Sequence, residues 1–240
     1  MRRMTPIAPV HLVGNALLMG LGYYWLGLGE TRAATLLWSL LVALAVLALT
    51  CWLEGATFVY FGPNVGSIKG AFAATLRRVG PLAAIAILLL VLYGLLARWD
   101  AYSGQPAFRI ASYLTVKLRK PVKPSGVLAA FRVVLWIVRW MIIPVLVLPL
   151  CAAVAQRSKV RPRTRLYWIA TPVLLTLALW VSVKLIGWTP HVGGFAMETT
   201  SFVLRLAVAY LLFVAAWLLL AFLTSGGKPA LTQPKTVASP

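Results

Sequence analysis

Long uncharged apolar stretches alternate along the chain with short connections rich in Lys and Arg. A helix rises about 1.5 Å per residue, so roughly 20 apolar residues cross the ~30 Å hydrocarbon layer of a bilayer. Six stretches approach that length, at residues 7–28, 33–53, 81–97, 133–155, 166–188 and 202–223. They predict an all-α fold, a polytopic helical membrane bundle over residues 1–223, with interfacial amphipathic helices and a disordered polar tail over 224–240.

The stretches are not equivalent. The first contains His11, Asn15 and several glycines, and it approaches its end through Tyr23, Tyr24 and Trp25, an aromatic cluster suited to the headgroup level. The second is free of charge and closes at Trp52 and Glu54. The third would span only about 25 Å, which calls for flanking aromatics or a locally thinned bilayer. The fourth is preceded by Arg132 and contains Arg139, Pro144 and Pro149. This pattern predicts an interfacial lead-in that becomes a span near Trp140. The prolines, lacking an amide donor, kink the span and leave carbonyls for neighbouring helices or water. The fifth holds Pro172 and Lys184, whose long side chain can snorkel, and the sixth has Arg205 in its first turn.

Two connections carry patterns of their own. Ile68, Phe72, Leu76 and Val79 recur at helical spacing with Lys69, Arg77 and Arg78 off that stripe, which predicts an amphipathic helix on the membrane surface. From Phe108 to Arg119 the apolar residues alternate with a period of two, yet Ile110, Leu114 and Leu118 also share a helical face. An isolated strand would leave its backbone groups unpaired, so a short surface helix is expected.

Charge and composition narrow the reading. Of 240 residues, 61% are hydrophobic, and 23 Lys and Arg stand against 4 Asp and Glu for a formal charge of +19. In a soluble protein that excess would suggest nucleic acid. Between apolar runs it instead reflects the positive-inside bias and attraction to anionic headgroups. Membrane lipids, anionic ones above all, and a membrane protein are therefore the expected partners, and nucleic acid is not. The expected location is a cell membrane crossed several times, a bacterial inner membrane in particular.

Arg157, Lys159, Arg161, Arg163 and Arg165 form the densest basic cluster. It puts that connection in the cytoplasm, together with both termini and the Lys69 to Arg78 segment. Arg98, Arg109, Lys117, Arg119, Lys120 and Lys123 then face outward. In an alternative with five spans, the fourth stretch folds back at Pro144 or Pro149 and the termini lie on opposite sides.

Candidate chemistry is sparse. Arg77, Arg78, Arg119, Lys120, Arg161 and Arg163 flank spans and are candidate lipid or anion ligands. Arg132 and Arg139 lie about two turns and roughly 10 Å apart on one helical face, a spacing that suits a phosphate as well as it suits snorkelling. Glu54 either forms a buried ion pair, with Lys184, Arg205 or Arg139 as its cation, or is a hydrated helix end. His191 and Glu198 have no partner at ligand spacing and read as loop residues, His11 reads as interfacial, and Cys51 and Cys151 read as packing residues. The sequence assigns no catalytic residue, metal or cofactor. A noncatalytic scaffold, assembly factor or partner of a membrane complex leads the functional readings. A small permease or exporter of an anionic solute is second, and a lipid-modifying enzyme using Glu54, His191 or Glu198 as base is third.

Overall fold

The second apolar stretch does not stop at Glu54. In the computed structural model, which describes residues 6–29, 32–63, 67–158, 165–189 and 194–225, helix α2 spans Ala33–Phe61 and buries Ala56 through Phe61. One carboxylate does not break a helix. The stop is Gly62 followed by Pro63, which cannot continue the hydrogen-bond ladder and pushes the preceding residue to extended backbone; Gly62 sits at ψ 170°. Glu54 is thus about 10 Å inside the helix end and not at it.

Helix α1 (Ala8–Leu26) runs antiparallel along α2. Trp25 Nε1 donates to Ser39 Oγ at 2.9 Å at one end, and His11 meets Thr57 at the other. Among the described residues five helices are long and apolar enough to cross a membrane, and α1 is not one of them. His11, Asn15 and its glycines lower its hydropathy, yet His11 is fully buried against α2, so part of that polarity faces protein.

Helix α3 (Ile68–Leu76) starts at Ser67, whose hydroxyl oxygen accepts the Gly70 amide at 3.1 Å. A helix is present where the stripe predicted one, and its fully buried residues are Ala71 and Thr75; Ile68 and Phe72 of the stripe also pack against the bundle, whereas Leu76 is 62% exposed. The reason is close approach. Thr75 of α3 and Leu82 of α4 (Val79–Tyr102) press on Gly55, where a Cβ would lie 2.6 Å from each. Phe72 is held from the side by Trp52, whose indole donates to the Phe72 carbonyl at 2.9 Å. At 24 residues α4 exceeds the predicted 81–97 and reaches about 36 Å, so no thinning of the bilayer is required.

The ambiguous segment is helical: α5 (Gly104–Leu118) buries Ala107 and Ala111 and pairs with α6 (Pro124–Ile137). A π-helical turn, Val138–Ile142, joins α6 to α7 (Ile143–Gln156), making one apolar helix of 33 residues. It does not fold back at either proline, which overturns the re-entrant alternative. At about 50 Å it is longer than the hydrocarbon layer is thick.

Two irregularities of this fourth helix are sealed by tyrosines. In the π turn the Ile143 amide donates to the Val138 carbonyl, which leaves the Arg139 carbonyl without its α-helical donor. Tyr93 of α4 supplies one, its hydroxyl donating at 2.6 Å. Pro149 likewise deprives the Val145 carbonyl, and the Tyr167 hydroxyl at the start of α8 (Tyr167–Gly187) donates to it at 3.1 Å. Helix α9 (Phe195–Thr224) returns along α8.

The described residues thus form an all-α helical membrane bundle. Its apolar core gathers where Phe58 and Phe61 of α2, Leu148 and Ala152 of α7, and Leu218 and Ala221 of α9 meet. Outside it, Leu88 at 68% and Ile169 at 66% exposure typify faces that water would not tolerate and lipid solvates. Arg161, Arg163, His191, Glu30 and the segment 226–240 lie outside the described residues.

Candidate functional site

Polar side chains concentrate in two places, a seam inside the bundle and a cleft at one end. In the seam, the Thr57 hydroxyl donates to the Leu53 carbonyl at 2.9 Å, so its oxygen is left to accept from His11 Nε2. His11 Nδ1 then accepts from Asn15 Nδ2 at 3.2 Å, a chain that assigns the proton to Nε2. His11 is therefore packed against protein, which its place near the start of the first stretch did not suggest. It is buried, and both ring nitrogens are occupied. The Tyr210 hydroxyl of α9 donates to the Leu12 carbonyl, so α1 is tied to α2 and α9 by side chains that a hydropathy profile counts as defects.

Glu54 lies one turn before Thr57. Its Oε2 atom is buried without a hydrogen-bond partner, and so is Nε1 of Trp217 on α9. The indole is within interaction range of the carboxyl group, but the pair lacks hydrogen-bond geometry. The expected ion pair with Lys184 or Arg205 is not formed. Lys184 is exposed near the end of α8, and the Arg205 guanidinium donates to the Leu185 and Ile186 carbonyls, both at 3.3 Å, capping the last turn of α8. Both cations serve the end of the bundle away from Phe61. Arg139 is not available to Glu54 either, because it faces Asp100 at 3.7 Å, the one ion pair among the described residues.

The cleft is a cavity of about 320 Å³ between the end of α2, the outer face of α3 and the end of α7. Gly62, Ala73, Ala74 and Ala155 give it small walls, and Arg77, Arg78 and Arg157 line it as well. Gln156 is fixed there by donating Nε2 to the Phe58 carbonyl at 2.7 Å, which also satisfies one of the carbonyls that α2 leaves open at its end. Among the described residues none of the three arginine side chains has an ion-pair or hydrogen-bond partner.

The other predicted ligands are placed apart from this cleft. Arg119 and Lys120 are exposed after α5 at the opposite end, and Arg132 is exposed on α6 while Arg139 is mostly buried beside Asp100. The sequence therefore singled out Arg77 and Arg78 but not their meeting with Arg157 and Gln156. It also passed over Thr57, Trp217, Tyr93 and Tyr210, hydrogen-bonding residues inside apolar runs that were the available signal. Compared with known proteins, the chain matches no family model, no curated protein and no solved structure.

Proposed function

We propose that this integral membrane protein is a noncatalytic scaffold or assembly component that binds anionic lipid through its basic surfaces and presents them to a membrane protein partner. The observation that carries this reading is the unpaired arginine group at the mouth of the Arg77, Arg78 and Arg157 cleft. Anionic headgroups attract each nearby Lys or Arg by about 1 kcal/mol, a term neutral lipid does not supply. Use of the interior polar groups agrees with a scaffold. Tyr93, Tyr167, Tyr210, Gln156 and Trp52 all donate to backbone carbonyls of other helices, which spends their hydrogen-bonding capacity on holding the bundle together.

A permease would instead offer carbonyls freed by its broken helices to a solute. Here Tyr93 and Tyr167 close the two openings of the fourth stretch, which favours the scaffold, while Pro172 in α8 deprives the Trp168 carbonyl in the same way. With the cleft end assigned to the cytoplasm of a bacterial inner membrane and α1 counted as a crossing, the chain spans six times. The test is a melting curve of the full chain in neutral detergent with added phosphatidylglycerol, cardiolipin or phosphatidylcholine at matched concentration. Anionic lipid should raise Tm above the neutral lipid. Equal shifts, or solute flux in liposomes, would refute the reading.

A further inference from the structure

We propose that the cleft between α2, α3 and α7 is a discrete site for one phosphate group, carried by a lipid headgroup and held by Arg77, Arg78 and Arg157. This rests on the anionic-lipid reading and goes beyond it. General attraction needs only surface charge, whereas a site needs room, fixed walls and convergent donors.

The cleft supplies the room and the walls, and three arginines line it. The cavity of about 320 Å³ exists because Gly62, Ala73 and Ala74 stand where larger side chains would fill it. A Cβ at Gly62 would lie 2.9 Å from the Gln156 side chain, and Gln156 is itself anchored to Phe58, so this wall is set by packing. Arginine presents a planar fork of donors that matches two phosphate oxygens at once, which makes it the side chain of choice for this anion. Three such cations lining one cavity repel one another, and an anion shared between them would relieve that repulsion. Complementing the C-terminal dipoles of α2 and α7 accounts for one or two cations near those ends. It does not account for a cavity between them.

A second observation concerns the backbone. Arg157 is the C-cap of α7 and has φ 54°, a left-handed conformation usually taken by glycine. Glycine would satisfy the backbone better, and the residue present is instead a cation lining the cleft. Arg119 caps α5 with φ 51° at the opposite end of the bundle, away from this cleft. The two positions make a matched pair.

The experiment uses the full chain and the variants Arg157→Gly, Arg77→Gln/Arg78→Gln and Arg119→Gly. Native mass spectrometry counts retained phosphatidylglycerol against phosphatidylcholine, and melting curves are recorded with each lipid and with inorganic phosphate. Arg157→Gly should melt at or above the wild-type temperature without lipid, because glycine suits its backbone, yet hold phosphatidylglycerol about tenfold more weakly, the loss of one bidentate contact. The double variant should lose the bound lipid altogether, and Arg119→Gly should keep it. Retention unchanged in the cleft variants, or reduced equally by Arg119→Gly, overturns the cleft and leaves general anionic-lipid binding standing. No preference for phosphatidylglycerol in the wild type overturns both. Stabilisation by inorganic phosphate equal to that by phosphatidylglycerol overturns the assignment to a lipid.

Discussion

At the end of the bundle where α4 and α8 finish, four cations are taken up by protein groups, while Arg119, Lys120, Arg132 and Lys184 stay exposed. Arg139 faces Asp100, Arg205 caps α8, Arg98 lies over the Tyr102 ring and Lys117 over that of Tyr113. At the end where α2 and α7 finish, Arg77, Arg78 and Arg157 line open space. Both ends look equally basic in the sequence, so basicity alone does not identify a binding surface. The difference lies in what is packed beside these seven charges: carboxylate, carbonyls and aromatic faces beside Arg139, Arg205, Arg98 and Lys117, alanines and glycine beside Arg77, Arg78 and Arg157. A cation already satisfied by protein has little to gain from a ligand, whereas an unsatisfied one does.

The most damaging way to break this contrast is Gly55→Val. The added side chain would start 2.6 Å from Thr75 and Leu82, pushing α3 and α4 from α2 and opening the cleft while leaving the far end alone. Overpacking of this kind costs about 3 kcal/mol. Thermal melting in detergent should show the loss, and hydrogen exchange should place it in α3; an unchanged melt would mean that Gly55 is not a tight contact.

Asp100→Asn should have a smaller effect and would sharpen the comparison by freeing Arg139. The pair is half open, with side-chain exposures of 22% for Arg139 and 38% for Asp100, so stability should fall by only about 1 kcal/mol. The far end should then gain affinity for phosphatidylglycerol, measured as extra retained lipid. No gain would show that freeing a cation does not create a lipid contact.

Glu54→Gln should have the smallest effect. Because no cation meets this carboxyl group, removing its charge should change stability by less than about 0.5 kcal/mol, or raise it, and neither end should alter its lipid binding. Breaking a buried ion pair would instead cost about 3 to 5 kcal/mol, a drop that melting curves would resolve easily.

Much of the fold was legible in the sequence. Run length and turn residues predicted helices for each stretch, the surface helices α3 and α5, and the proline-disturbed fourth helix. Ends were less legible. Trp52 and Glu54 looked like a boundary, yet Gly62 and Pro63 form the real stop, because a helix ends where its hydrogen bonds cannot continue and not where a charge first occurs. Of the site, Arg77 and Arg78 were readable as flanking cations, but Arg157 appeared only as one of a cluster.

By itself the sequence determined the solvent of this protein and the periodicity of its backbone: lipid for the long apolar runs, water and headgroups for the basic connections, helix throughout. Tertiary structure alone decided which faces meet. It made His11 a buried donor to Thr57, centred the docking of α3 on Ala71 and Thr75, kept Glu54 from Lys184 and Arg205, and set Arg157 on the same cleft as Arg77 and Arg78. The physical reason is that lipid is as apolar as a helix interface. In water, burial marks the inward face of a helix by hydrophobicity, whereas in a bilayer the outward face is equally apolar. Partner choice then depends on close packing of small residues and on a few hydrogen bonds, which a one-dimensional pattern does not encode.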